Sequence, residues 1–212
     1  MEITWLGYSC FRLKGKQTTI ITDPLHPDNT CFLNRVSADI VSLSYGTGDE
    51  PGIEKIGGQP YIIHGPGEYE VRSVLIIGIA SYQDEDRGSI RGKNTIYAMD
   101  MEDVSICHLG KLGHLLNDET IEAIGNVDIL LVPVGGNITI DAAQAARLVR
   151  TIEPKIVIPM HFKAASMDSE FEPVEKFLTE IGSQGLASQP KLNISKNGLP
   201  QSMQVIVLDP PA

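Results

Sequence analysis

Cysteine is scarce in this 212-residue chain: Cys10, Cys31 and Cys107 lie far apart, with no CxxC pair. An odd, scattered set completes no disulfide framework, so a reducing, cytoplasmic setting is expected. Basic charge is also short, with 17 Lys and Arg against 27 Asp and Glu and a formal net charge of -10. Phosphate backbones are bound through clustered Lys and Arg, so no nucleic-acid partner is expected. No window approaches the roughly 20 apolar residues of a membrane helix. The opening MEITWLGYSC has no basic flank leading into an apolar stretch of signal-peptide length, so no membrane partner is expected either. Tandem repeats are missing, which removes solenoids. Gly65-Pro66-Gly67 lacks the GxxxxGK[ST] spacing of a phosphate-cradling loop and reads as a tight turn.

With 42% hydrophobic residues the chain can bury a sizeable core, and a single domain over residues 1–212 is expected. The first hundred residues read as short strands: Glu2 to Leu6, Phe11 to Leu13, Thr19 to Thr22, Ile40 to Leu43, Tyr61 to Ile63 and Val74 to Ala80. Each is β-branched or aromatic in character and bounded by Gly, Pro, Asp or Asn. Thr95 to Met101 and Val104 to Leu109 form a hairpin across Glu102 and Asp103. Between them and the earlier strands, Asp84 to Gly88 is charged and without an apolar anchor, which predicts a mobile surface loop.

The rhythm then changes to alternating helix and strand. Asp118 is the expected N-cap of a helix through Ile121 and Ile124, and Ile129 to Val132 is a buried strand. Thr139 is the expected cap of a longer helix with Ala145, Leu148, Val149 and Ile152 on one face, ended by Pro154. Ile156 to Pro159 is a strand. A last helix buries Val174, Phe177, Leu178 and Ile181 and is closed by Gly182, before strands near Leu192 and at Val205 to Leu208. Strands first, then strands and helices interleaved, give a layered α+β domain.

Seven collinear stretches, ITWLGYSCFRL, IITDP, IVSLSYGTGDEPG, HGPGEYEV, RGKNTIYAMDMEDVSICHLGKLGH, DILLVPVGG and IVIPMHF, carry a resemblance from the N-terminus to Phe162. Together they resemble the metallo-β-lactamase superfamily, in particular its branch of predicted Zn-dependent hydrolases related to ascorbate-6-phosphate lactonase. The resemblance implies a four-layer αββα sandwich with the active site at the sheet edge. It also implies metal held by an HxHxDH motif, a middle His, a bridging Asp and a last His. Imidazole and carboxylate suit a divalent ion, and an open coordination position lowers the pKa of bound water to about 7.

In this chain the motif is Tyr45-Gly46-Thr47-Gly48-Asp49-Glu50, so only Asp49 of its four functional side chains matches. His108 falls at the middle His and His161 at the last, while Lys111 stands at the bridging Asp and Tyr8 at the His of WLGHS. The first metal position is left with Tyr45, Thr47 and His108, a poor donor set for a dication. The second would present Asp49, Glu50 and His161, able in principle to hold one Zn, Mn or Fe ion. Lys111 opposes it: two unit charges at about 4 Å interact by roughly 4 kcal/mol at an effective dielectric near 20, and a dication doubles that. The expectation is therefore a metal-free pocket in which Lys111 pairs with Asp49 and Glu50, with the single ion as the alternative.

Asp23 resembles the carboxylate that orients a metal-bound His, and also suits a turn before Pro24. His64, after a buried strand, is a candidate for contacting substrate. Thr47, in the altered motif, is a further candidate, and so is Asn137 in the loop preceding the helix expected from Thr139, because a helix N-terminus can receive an anion. His114 falls at a family position without a direct metal role, and His26 reads as surface. Cys107, beside His108 on a strand, should face the core. Three functions stay open: a hydrolase of a small ester, lactone or phosphorylated substrate, with one metal or using Asp49, His108, Lys111, His161 and Tyr45 without metal; a protein binding a small anionic ligand; and a regulatory subunit. The sequence leaves oligomeric state open.

Overall fold

The computed structural model describes residues 1–24, 36–46, 53–164 and 170–210. Thr47, Asp49, Glu50, His26 and Cys31 lie outside the described residues. Six strands form the first sheet: β1 (Glu2–Trp5), β2 (Phe11–Lys14), β3 (Thr19–Thr22), β4 (Ile40–Leu43), β5 (Tyr61–His64) and β12 (Leu192–Asn193), in the order β12-β1-β2-β3-β4-β5. Seven form the second: β6 (Gly67–Val71), β7 (Val74–Tyr82), β8 (Lys93–Met101), β9 (Val104–His108), β10 (Ile129–Pro133), β11 (Ile156–Met160) and β13 (Gln204–Val205), in the order β13-β11-β10-β9-β8-β7-β6.

The two sheets face each other because their strands alternate. Ile3, Trp5, Phe11, Leu13, Ile20, Ile40 and Ile63 from the first meet Val74, Ile76, Tyr97, Met99 and Ile106 from the second in one buried cluster. Strands β9, β10 and β11 run parallel and carry near-continuous buried aliphatic runs, because helices cover the sheet on its other side. Helix α1 (Asp118–Ile124) packs on β7, α2 (Ala142–Ile152) on β10, and α3 (Val174–Ile181) on α2. On the far side of the first sheet, Ile21, Val41 and Leu43 are covered by Ala38, Ile56 and the short 3-10 turn at Ile53–Lys55.

Several local signals are met. Glu102 and Asp103 both take positive φ, 54° and 64°, as a two-residue hairpin turn requires. Gly182 caps α3 in the left-handed region. Others need correction. The cap of α2 is Asp141, whose carboxylate accepts the Gln144 amide while the Gln144 side chain returns to the Asp141 amide; Thr139 is buried and bonds the Gly136 and Ile140 carbonyls. Asn117 caps α1, leaving Asp118 in its first turn. Gly67 opens strand β6, and the last strand is only Gln204–Val205.

The Asp84 to Gly88 segment is also not the unanchored loop expected. Asp84 is 2% exposed and accepts four backbone amides, from Asp86 and Gly88 on one oxygen and Ile90 and Arg91 on the other. Burial pushes this carboxyl up, but the amides, led by Arg91, hold it below the usual carboxylate range. Asp84→Ala should therefore speed hydrogen exchange at Gly88, Ile90 and Arg91 by about tenfold each while leaving β7 and β8 protected, as read by NMR.

At the opposite end of the strands, Asp128 accepts Lys155 Nζ at 2.9 Å, Lys196 Nζ at 2.8 Å and the Ser105 amide at 3.1 Å. Burial pushes its carboxyl up; the two ammonium groups and the amide more than offset this and keep it below its ordinary value. A depressed folded-state pKa means the stabilisation is present above the unfolded pKa, near 3.9, and is lost as pH falls through the folded value. Asp128→Asn should cost about 1–2 kcal/mol at neutral pH, allowing for the half-exposed lysines, in urea melts. The difference from wild type should close on acidification.

Candidate active site

The C-terminal ends of β3, β4 and β9 and the Gly7–Ser9 turn converge on one edge of the sandwich. Asp23, directly after β3, has φ 40° and is buried; its carboxylate accepts the Ser44 amide at 2.7 Å and the Ser44 hydroxyl. His108, the last residue of β9, is fully buried, with Nε2 2.9 Å from the Ser9 carbonyl and 4.0 Å from Asp23 Oδ2. A carbonyl only accepts, so Nε2 carries the proton. Burial pushes the His108 imidazole below its ordinary pKa, against the pull of Asp23 and the Ser9 carbonyl. His108 is therefore neutral near pH 7, and its Nδ1 is buried with no hydrogen-bond partner among the described residues.

Lys111 sits three residues on, after a turn that only glycine can make. Gly110 has φ +60°, and a Cβ there would run into Ser44 Oγ and Asn94 Oδ1. Asn94, buried at the start of β8, accepts the Lys111 amide at 2.9 Å and donates to Ser81 Oγ and the Leu109 carbonyl. Lys111 Nζ lies 3.9 Å from the centroid of the Tyr45 ring. Burial lowers the Lys111 pKa from its ordinary value, and the Asp23 carboxylate partly opposes that.

His161, after β11, takes φ 55° and is 1% exposed; its ring meets Phe171 edge-on at 4.9 Å and Tyr8 at 5.6 Å. Its amide and the Trp5 indole both donate to the Tyr8 carbonyl. Tyr8, where the resemblance implies a His, thus anchors the last His through its backbone. At the rim, His64 Nε2 donates to the Gly46 carbonyl at 2.7 Å.

The structure thus brings Tyr45, Lys111, Asp23 and His108 into one cluster, sets His64 against the Tyr45–Gly46 turn, and joins His161 to Tyr8. Asn137 is exposed and turns its amide to Glu170 at 3.1 Å. His114 donates from Nδ1 to the Leu115 carbonyl and accepts the Tyr82 amide on Nε2. Cys107 is buried in the core, its thiol pushed up by burial. Asn94, Ser44 and Ser9 escaped the sequence reading. Of these, Asn94 lay in the stretch RGKNTIY, where a polar residue opening a buried strand was the available signal.

Two facing mixed sheets with helices outside, and a cluster of His, Asp and Lys at the strand ends, define a metallo-β-lactamase-type sandwich. The chain belongs to the family of the beta-lactamase superfamily domain, whose model matches residues 2–161. A candidate Zn-dependent hydrolase of the metallo-β-lactamase superfamily from Thermotoga maritima has a crystal structure that superposes with a TM-score of 0.80, at 32% identity, over 99% of either chain. A UPF0173 metal-dependent hydrolase of Methanopyrus kandleri is 23% identical over 99% of this chain and 97% of its own. One from Thermoplasma acidophilum is 29% identical over 76% and 83%. Among the described residues no helix is long and apolar enough to cross a membrane.

Proposed function

We propose that this chain uses the cleft of a hydrolase fold as a metal-independent pocket for a small anionic ligand, with Lys111 supplying the positive charge. The observation that carries this reading is the Lys111 ammonium, held by the Gly110 turn and Asn94 and laid over the Tyr45 ring at 3.9 Å. A fixed, partly buried ammonium at the strand ends supports an anion site, with the Asp23 carboxylate as the charge that competes for it.

The donor chemistry does not fit an ion at the first metal position. His108 donates from Nε2 to the Ser9 carbonyl and keeps its Nδ1 lone pair, one good donor, but Tyr45 turns its ring face to an ammonium and a phenol is a poor ligand. Among the described residues no three His, Cys, Asp or Glu gather closely enough to hold a metal. Asp49 and Glu50 lie outside the described residues, and in this reading the ligand's anion, rather than these two carboxylates, faces the Lys111 ammonium. Thr47, His64 and Asn137 are proposed to contact the ligand at the rim.

A second reading has one Zn, Mn or Fe ion held by Asp49, Glu50 and His161, in a hydrolase of a small ester, lactone or phosphorylated substrate. It is favoured by the rigid seating of His161 between Tyr8 and Phe171, and by relatives named metal-dependent hydrolases. When bound, such an ion would supply Lewis acidity. Titrating the full chain with inorganic phosphate in the presence of a chelator separates the two. Binding that persists is expected; binding that needs added metal would favour the single-ion hydrolase.

A further inference from the structure

We propose that the outer face of β6, β7 and β8 is a docking surface for a cationic amphipathic helix of a partner protein. The face begins where the helical layer stops. Helix α1 covers part of β7, yet Leu75 and Ile77 on the same strand remain 54% and 44% exposed. Outward-pointing residues in the first half of a nine-residue strand that lies inside the sheet are ordinarily polar or covered.

The register sets carboxylates around these two. Glu70 on β6 pairs with Leu75, which pairs with Asp100 on β8; Glu68 pairs with Ile77, which pairs with Ala98. An open hollow of about 550 Å³ continues the face from Leu75 past Asp100 and Asp103. Among the described residues Glu68, Glu70, Asp100 and Asp103 form no ion pair; Lys196, which lines the same hollow, shares Asp128 with Lys155. The result is a pair of exposed aliphatic side chains with one acidic line, Glu68 and Glu70, on one flank and a second, Asp100 leading to the Asp103 turn, on the other, bounded beyond by the Lys155–Asp128–Lys196 cluster.

That charge decides the occupant. A second copy would bring two acidic faces together, and an anionic lipid surface would be repelled. Glu68 and Glu70 alone could be guards on edge strand β6, but that role explains neither Asp100 on an interior strand nor the bare Leu75 and Ile77. The spacing suits a helix. Leu75 and Ile77 lie about 7 Å apart along the strand, and side chains four residues apart on a helix are separated by about 6 Å along its axis. Flanking strands lie about 5 Å to either side, so Lys or Arg on both shoulders of a helix about 10 Å across reaches both acidic lines.

The test is NMR titration of the ¹⁵N-labelled full chain, at physiological ionic strength, with a synthetic Leu/Lys amphipathic helix and a Leu/Glu counterpart. Saturable shifts confined to β6, the first half of β7 and β8 near Asp100 are expected with the Leu/Lys peptide only. Leu75→Ser with Ile77→Ser, and separately Glu68→Gln, Glu70→Gln and Asp100→Asn together, should each weaken binding by about tenfold or more. Circular dichroism melts should show both variants folded, as these are surface positions. No saturable binding overturns the proposal. So does equal binding of the Leu/Glu peptide, affinity unmoved by Leu75→Ser and Ile77→Ser, or a wild-type dimer in sedimentation that those substitutions dissociate.

Discussion

Lys111→Met should weaken phosphate binding by about 10- to 100-fold, the weight of one charge-assisted contact, while leaving the fold intact. Met keeps the aliphatic stem that packs beside Tyr45 and removes only the ammonium. Stability should hold or rise, because the substitution deletes a charge whose pKa burial has already lowered. The same lowering sets the pH profile. Anion binding needs the protonated amine, so wild-type affinity should be full at neutral pH and fall as pH rises through a value below the ordinary lysine pKa of about 10.4. Isothermal titration of wild type and variant across alkaline pH checks both. Unchanged affinity in the Met variant would place the anion elsewhere.

Gly110→Ala should be among the most damaging single substitutions near the site, costing about 2–4 kcal/mol and lowering the melting temperature by about 5–15 °C. Two effects combine: an alanine at φ +60°, and a methyl driven into Ser44 and Asn94, which hold Asp23 and Lys111 in place. Gly182→Ala is the control. It lies in the left-handed region at φ +76° and ψ 31°, but a Cβ there meets nothing within 4 Å, so only the backbone strain applies and about 1 kcal/mol is expected. Calorimetric melts of the two variants separate overlap from strain, and Gly110→Ala should also impair phosphate binding.

Much of the fold was legible because its signals are local. The Glu102–Asp103 turn, the Pro154 stop and the Gly182 cap need only a few neighbouring residues, and collinear motifs supplied the sandwich. Thr139 misled because a hydroxyl before an apolar run resembles a cap. The better signal lay two residues on, in the Asp141 and Gln144 pair of a capping box. Asp84 was unreadable by charge alone: a carboxylate in an acidic, Gly-ended segment looks solvated, and only the curled chain shows its oxygens meeting four amides. At the candidate site, the motifs alone single out Tyr45, His108, Lys111 and His161. What Lys111 rests on, and which nitrogen of His108 is occupied, depend on contacts between distant strands.

The resemblance implies a bridging carboxylate at the position of Lys111, and the proposed metal-free pocket turns on that ammonium. The most direct test is elemental analysis of purified, tag-free protein exposed to Zn, Mn and Fe and then extensively dialysed, with Lys111→Asp in parallel. The account predicts a wild type without retained metal and a variant that gains some. A wild type holding about one ion per chain would contradict it and establish the single-ion site.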